Sequence, residues 1–149
     1  MSKKRKISVQ SGKAKGRRYQ QEIRNLILET LNHLDPDDVR STSMGNSGVD
    51  IQTSPKCQED FPFACEAKNQ ESISIWKSLE QAENNSTDKL KPILFFKRNR
   101  SKSYTVLQTI DFFKLIKIIK FLSSGDSKNS LSNYLYNIGD IDENLQNDK

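Results

Sequence analysis

Phe61-Pro62-Phe63-Ala64-Cys65-Glu66-Ala67-Lys68 is the stretch on which the fold turns. Its apolar opening reads as a strand, and the strand ends on an acid and a lysine two residues apart. Positions i and i+2 of a strand face the same side. Glu66 and Lys68 therefore stand together, and Ala67 points to the opposite face. Upstream, Val49-Asp50-Ile51 reads as a second strand, with an acid between two β-branched residues. Asp50 can supply a second carboxylate beside Glu66.

Working outward, Ile23, Leu26, Ile27, Thr30, Leu31 and Leu34 recur at helical spacing. They predict a helix from Arg17 to Leu34, ended by the turn Asp35-Pro36-Asp37-Asp38. Val39 to Ser43 is a short strand, and Gly45-Asn46-Ser47-Gly48 a turn. Residues 52–60 read as a polar loop. A helix follows over Ser74 to Asn84, with Trp76 at core spacing to Leu79. Pro92 to Phe96 is a nearly continuous apolar run, as in a strand buried on both faces. Lys97 to Lys102 is a basic hairpin turn into a strand at Tyr104 to Leu107. A last helix spans Asp111 to Leu122, with Phe112, Leu115, Ile116, Ile119 and Leu122 on one side. The expected class is α/β, a mixed central β-sheet flanked by helices in the order α-β-β-β-α-β-β-α. The expected organisation is a basic disordered arm over 1–16, one domain over 17–122 and a polar tail over 123–149.

The 149 residues suffice for one domain, and the net charge of +5 suggests an anionic partner. That charge is uneven. Eight basic residues and no acid lie within residues 1–18, so the remainder is net acidic. The arm reads equally as a DNA-binding arm or a solubilising tail. Two cysteines, Cys57 and Cys65, and a single histidine, His33, complete neither a zinc set nor a disulfide scaffold. No apolar run reaches membrane-spanning length, and no apolar segment follows the basic start as a secretory signal requires. The expectation is a cytoplasmic protein with no membrane partner.

Hydrolysis of a phosphodiester needs a nucleophilic water, charge neutralisation at phosphorus and help for the leaving oxygen. Mg²⁺ supplies much of this, and it prefers one or two carboxylates with several waters. Two carboxylates on neighbouring strands beside an ammonium make the minimal site. Asp50, Glu66 and Lys68 meet that need, and the Ala67 carbonyl could also ligate the metal. The competing reading is a solvated pair of surface charges. A second acid-x-Lys triplet, Asp126-Ser127-Lys128, has no strand to aim it.

Three runs carry a resemblance: Ser43 to Asp50, FPFACEAKNQ at 61–70, and WKSLEQAEN at 76–84. Together they resemble the PD-(D/E)XK nuclease superfamily, and within it phage-type endonucleases related to Holliday-junction resolvases. The resemblance covers about residues 16 to 120. It implies a restriction-endonuclease-like core and a metal-dependent endonuclease cutting branched or four-way DNA, in the host cytoplasm if phage-encoded. It implies Mg²⁺ or Mn²⁺ on Asp50 and Glu66, Lys68 as catalytic lysine, and a homodimer, since two cuts across a junction need two sites. The family's acidic residue on the first helix maps to Glu22, which otherwise reads as a solvated helix residue. Its glutamine on the helix after the motif maps to Gln81, which the helical wheel sets opposite Leu79 and Trp76. One departure is Val49, where the family's motif name has proline.

Grip on DNA would fall to Arg17, Arg18, Arg40, Arg98, Arg100 and Lys102, which could follow a phosphate backbone; for the hairpin the alternative is a soluble tip. Two other functions stay open. One is a nuclease of the same chemistry for single-stranded or sequence-specific DNA. The other is a DNA-binding protein that keeps the fold without catalysis.

Overall fold

The computed structural model describes residues 9–42 and 48–123. The strand expected at Phe61 to Lys68 forms as Phe63–Asn69 (β3) and takes the middle place in a sheet of five. Beside it in chain order lie Val39–Ser41 (β1), Ile51–Thr53 (β2), Lys91–Lys97 (β4) and Tyr104–Val106 (β5). β1, β2 and β3 run antiparallel, β3 and β4 parallel, and β4 and β5 antiparallel. The helices are α1 (Val9–Thr30), α2 (Pro55–Asp60), α3 (Ile75–Asn84) and α4 (Thr109–Ser123). The class is thus α/β with a mixed sheet and flanking helices, as the periodicities predict.

The parallel β3–β4 pair needs a crossover, and α3 provides it. Alternation along β3 and β4 assigns the two faces of the sheet. Cys65 and Ala67 of β3 and Ile93 of β4 join Tyr19, Ile23 and Ile27 of α1 in one core cluster, with Phe95 packed against it. Ala64, Glu66 and Leu94 point the other way and are also buried, on the face that α3 covers. Arg24 fastens α1 to the first strand, donating from Nε to the Val39 carbonyl at 2.7 Å.

Three expectations need correction. α1 begins at Val9, inside the stretch read as a disordered arm, because Lys13, Ala14 and Lys15 are good helix formers even beside two glycines. It ends at Thr30 rather than Leu34. Residues 52–60 are not a plain loop: β2 continues to Thr53, and the single-turn helix α2 follows. Ser54 caps α2 by accepting from Cys57 N–H at 3.1 Å, and Pro55 sits in its first turn. Six residues are too few for an apolar period to register.

Trp76 is 83% exposed and not part of the core. α3 buries the small residues Ser78 and Ala82, four apart, against the sheet. Trp76 lies two residues before Ser78, about 200° around the helix. The structure divides into two compact units between Leu107 and Gln108. The second unit contains α4, where Asp111 and Lys114 are buried and face each other at 4.0 Å. Among the described residues no helix is long and apolar enough to cross a membrane. The tail at 124–149 and the first eight residues lie outside the described residues.

Candidate functional site

β2 and β3 pair only briefly, and the site forms where they part. Ile51 lies opposite Cys65, and Asp50 N–H donates to the Cys65 carbonyl at 2.9 Å. Beyond that point β2 has no further backbone to offer. The next inward N–H of β3, that of Ala67, is taken instead by the Asp50 carboxylate, with Oδ2 accepting at 2.8 Å. Gly48, two residues back, holds the left-handed φ of 111° that turns the chain away. A buried N–H without a partner is costly, so this bond fixes the Asp50 carboxylate at the mouth of the cleft.

The other Asp50 oxygen is held from α1. Gln20 Nε2 donates to Oδ1 at 2.8 Å. Gln20 is only 3% exposed, and its own Oε1 has no hydrogen-bond partner in the fold. An ionised carboxylate can only accept, so Gln20 must present its NH₂ to Asp50. Its carbonyl oxygen then stands unsatisfied in a buried place. Gln20 was missed in the sequence, although a signal existed. It falls three residues before Ile23 and seven before Ile27, a polar residue on an otherwise apolar stripe.

Glu66 lies on the α3 face of β3, 3% exposed and within hydrogen-bonding reach of Asp50. Its carboxylate is joined directly by Lys68 Nζ. Burial pushes the Glu66 carboxyl above the ordinary carboxylate range; the Lys68 ammonium pulls it down, and the nearby Asp50 charge pushes it up again. Two carboxyl groups so close repel each other as anions. A divalent cation between them relieves that repulsion, and the donors present are all oxygens, as Mg²⁺ prefers. The residues therefore fit a hard divalent ion. Among the described residues no cluster of three or more Asp, Glu, His or Cys forms. Cys65, at the back of the site, is a free thiol whose pKa is raised by burial and by Cys57 and Asp50.

The other candidates are scattered. Glu22 is half exposed and gives both carboxylate oxygens to Lys97, at 2.8 and 3.1 Å. Lys97 in turn lies 5.1 Å from the centre of the Tyr19 ring. Residues 20 and 22 are about 200° apart on a helix, so α1 turns Gln20, and not Glu22, to Asp50. Gln81 is exposed on α3, on the side away from the buried Ser78 and Ala82. Arg17 and Arg18 are exposed on α1, and Arg40 pairs with Asp37 at 3.2 Å. Arg98, Arg100 and Lys102 are exposed on the β4–β5 turn, with Arg100 in the left-handed region at φ 56°. Ser43 to Ser47, part of the run that carries the resemblance, lie outside the described residues. No family model matches the chain, and no match is found among the curated proteins or the solved structures.

Proposed function

We propose that the protein is a metal-dependent DNA endonuclease of PD-(D/E)XK type, with Asp50, Glu66 and Lys68 at its centre. One observation carries the reading: the buried carboxyl of Glu66, the half-buried carboxyl of Asp50 beside it and an ammonium converge where β2 and β3 separate. Burying such a group costs stability unless it is offset elsewhere, and a purely structural role offers no evident return. The order of the first unit also supports it, since a helix, an antiparallel three-strand set, a crossover helix and a parallel fourth strand is the core that the resemblance implies.

Asp50 and Glu66 would hold Mg²⁺ or Mn²⁺, which when bound polarises a phosphate oxygen and acidifies a water. Asp50 is kept in place by the Ala67 N–H and the Gln20 amide, so little reorganisation is left for the moment of reaction. Lys68 is less buried than Glu66 and can place its ammonium against charge that grows on the phosphate. The choice of branched or four-way DNA, and action as a homodimer, follow the resemblance to resolvases.

The test is cleavage of supercoiled, single-stranded and four-way-junction DNA, with and without Mg²⁺. Cleavage that needs the metal and disappears in both Asp50→Asn and Glu66→Gln is expected. DNA binding without cleavage of any of the three would make the protein a non-catalytic binder.

A further inference from the structure

We propose that the first unit holds an unstacked nucleobase on an aromatic platform formed by Phe96 and Tyr104, in line with Lys68; as a description of a substrate this rests on the nuclease reading above. The β3–β4 register sets Lys68 opposite Phe96, and the β4–β5 register sets Phe96 opposite Tyr104. Residues directly paired across strands project from the same face. Lys68, Phe96 and Tyr104 therefore form one row across three strands, with Glu66 two residues away on the same face of β3. Two strand spacings separate the ends of that row, about 10 Å. A nucleotide lying along it would bring its base to the aromatic end while a nearby phosphate reaches Lys68.

The aromatic end is built to receive a flat ring. The Phe96 and Tyr104 rings lie 5.7 Å apart and are inclined by only 31°, which leaves a broad shared surface. Tyr104 is 55% exposed on β5, the last strand of the sheet. Beside the rings opens a cavity of about 320 Å³, lined also by Gln70, Glu71, Ile73, Lys97, Arg98 and Ser101, with Glu71 accepting from the Asn99 N–H. Gln70 brings an amide that can donate to and accept from a base edge. The charge around it selects the ligand. The adjoining turn presents Arg98, Arg100 and Lys102 to solvent, a complement to a phosphate backbone rather than to an apolar peptide.

A paired duplex keeps its bases stacked and offers no ring face to such a cleft. The platform therefore takes DNA with unpaired nucleotides beside the cut. Sequence-tolerant stacking on an aromatic surface, with cations along the backbone, is how single strands are commonly held.

The test measures binding by the full-length chain in Ca²⁺, with fluorescence anisotropy on a single-stranded oligonucleotide carrying 2-aminopurine and on a matched duplex. Tyr104→Ala is expected to weaken single-strand binding about 5- to 150-fold, the range for one lost base–aromatic stack. Duplex binding should stay within about twofold, because it makes no such stack. Tyr104→Trp should restore both affinity and 2-aminopurine quenching, which guards against a fold defect in the alanine variant. Equal losses on the two DNAs, or no loss on either, overturn the platform. Cleavage is scored separately in Mg²⁺. Stacking without cleavage upholds the platform and removes only the nuclease reading. Cutting of DNA with unpaired nucleotides beside the cut at an unchanged rate in Tyr104→Ala overturns the platform and leaves that reading intact.

Discussion

Two carboxylate–lysine pairs in the first unit have the same chemistry and different settings. Glu22 and Lys97 meet at 2.8 Å, with the glutamate side chain 49% exposed. Glu66 and Lys68 meet on β3, with the glutamate side chain 4% exposed and a second carboxyl, Asp50, beside it. Water screens the first pair and leaves its glutamate free to relax, so it contributes little. The second pair cannot relax into water, and its lysine does not fully offset the combined effect of burial and Asp50. The direction of the Glu66 shift records that imbalance. The difference teaches that an ion pair alone says nothing about chemistry. What marks a site is an ion pair held in a place that disfavours its own charges.

The largest expected effect that tests this contrast is on cleavage. Lys68→Ala should keep metal and DNA binding but lose about 10²–10³ in single-turnover rate on a labelled four-way junction in Mg²⁺. Binding is checked in Ca²⁺. A rate within about fivefold of the parent would put Glu66–Lys68 in the same class as the exposed pair.

Next is Gln20, whose amide donates to Asp50. Gln20→Met keeps the volume but removes the amide, so Asp50 loses one of its two anchors. A loss of about 10–100-fold in metal affinity or rate is expected, as for other partners that orient a ligand. Titration with Mn²⁺ measures it directly, without reliance on turnover. An unchanged affinity and rate would show that the Ala67 N–H alone suffices to hold Asp50.

A third test concerns stability. The folded pKa of Glu66 lies above its ordinary value of 4.5. The native state therefore binds the proton more tightly than the unfolded chain, and stability falls as pH rises from about 4.5 through the folded pKa. Glu66→Gln removes that loss. Without divalent ions, the variant should resist urea better than the parent at pH 8, and the advantage should shrink as pH falls towards 4.5. A variant less stable at pH 8 would mean that Lys68 more than compensates the buried charge. The smallest effect belongs to Glu22→Gln, for which a change in cleavage of about fivefold or less is expected. A loss as large as that of Lys68→Ala would return Glu22 to the active site.

Much of this site was legible before any tertiary contact. Alternation alone put Glu66 and Lys68 on one face of β3 and Ala67 on the other, and a second strand with an acid was visible at Asp50. What alternation could not show was that Asp50 sits just ahead of β2, where the strands part and its carboxylate replaces a missing backbone acceptor. Nor could it choose between Gln20 and Glu22. A helix wheel fixes that they point apart, but which one meets the sheet depends on how α1 is rotated against β3. The same rotation decided α3, where the small residues Ser78 and Ala82 lie inward and Trp76 and Gln81 outward. Apolar size suggested the reverse for Trp76, because close approach of a helix to a sheet favours small side chains and the wheel gives no measure of distance.

The sequence by itself therefore determined most strand and helix types, the sheet as a mixed one flanked by helices, and the placing of Glu66 and Lys68 on one face of a strand. These follow from periods of 2 and 3.6 residues, which are properties of the local backbone. The tertiary structure alone decided which side chains complete the site: Gln20 from α1, the Ala67 N–H from β3, and the row that joins Lys68 to Phe96 and Tyr104. Each of these depends on register and rotation between elements distant in sequence, and such relations are set by packing and by the need of buried polar groups for partners.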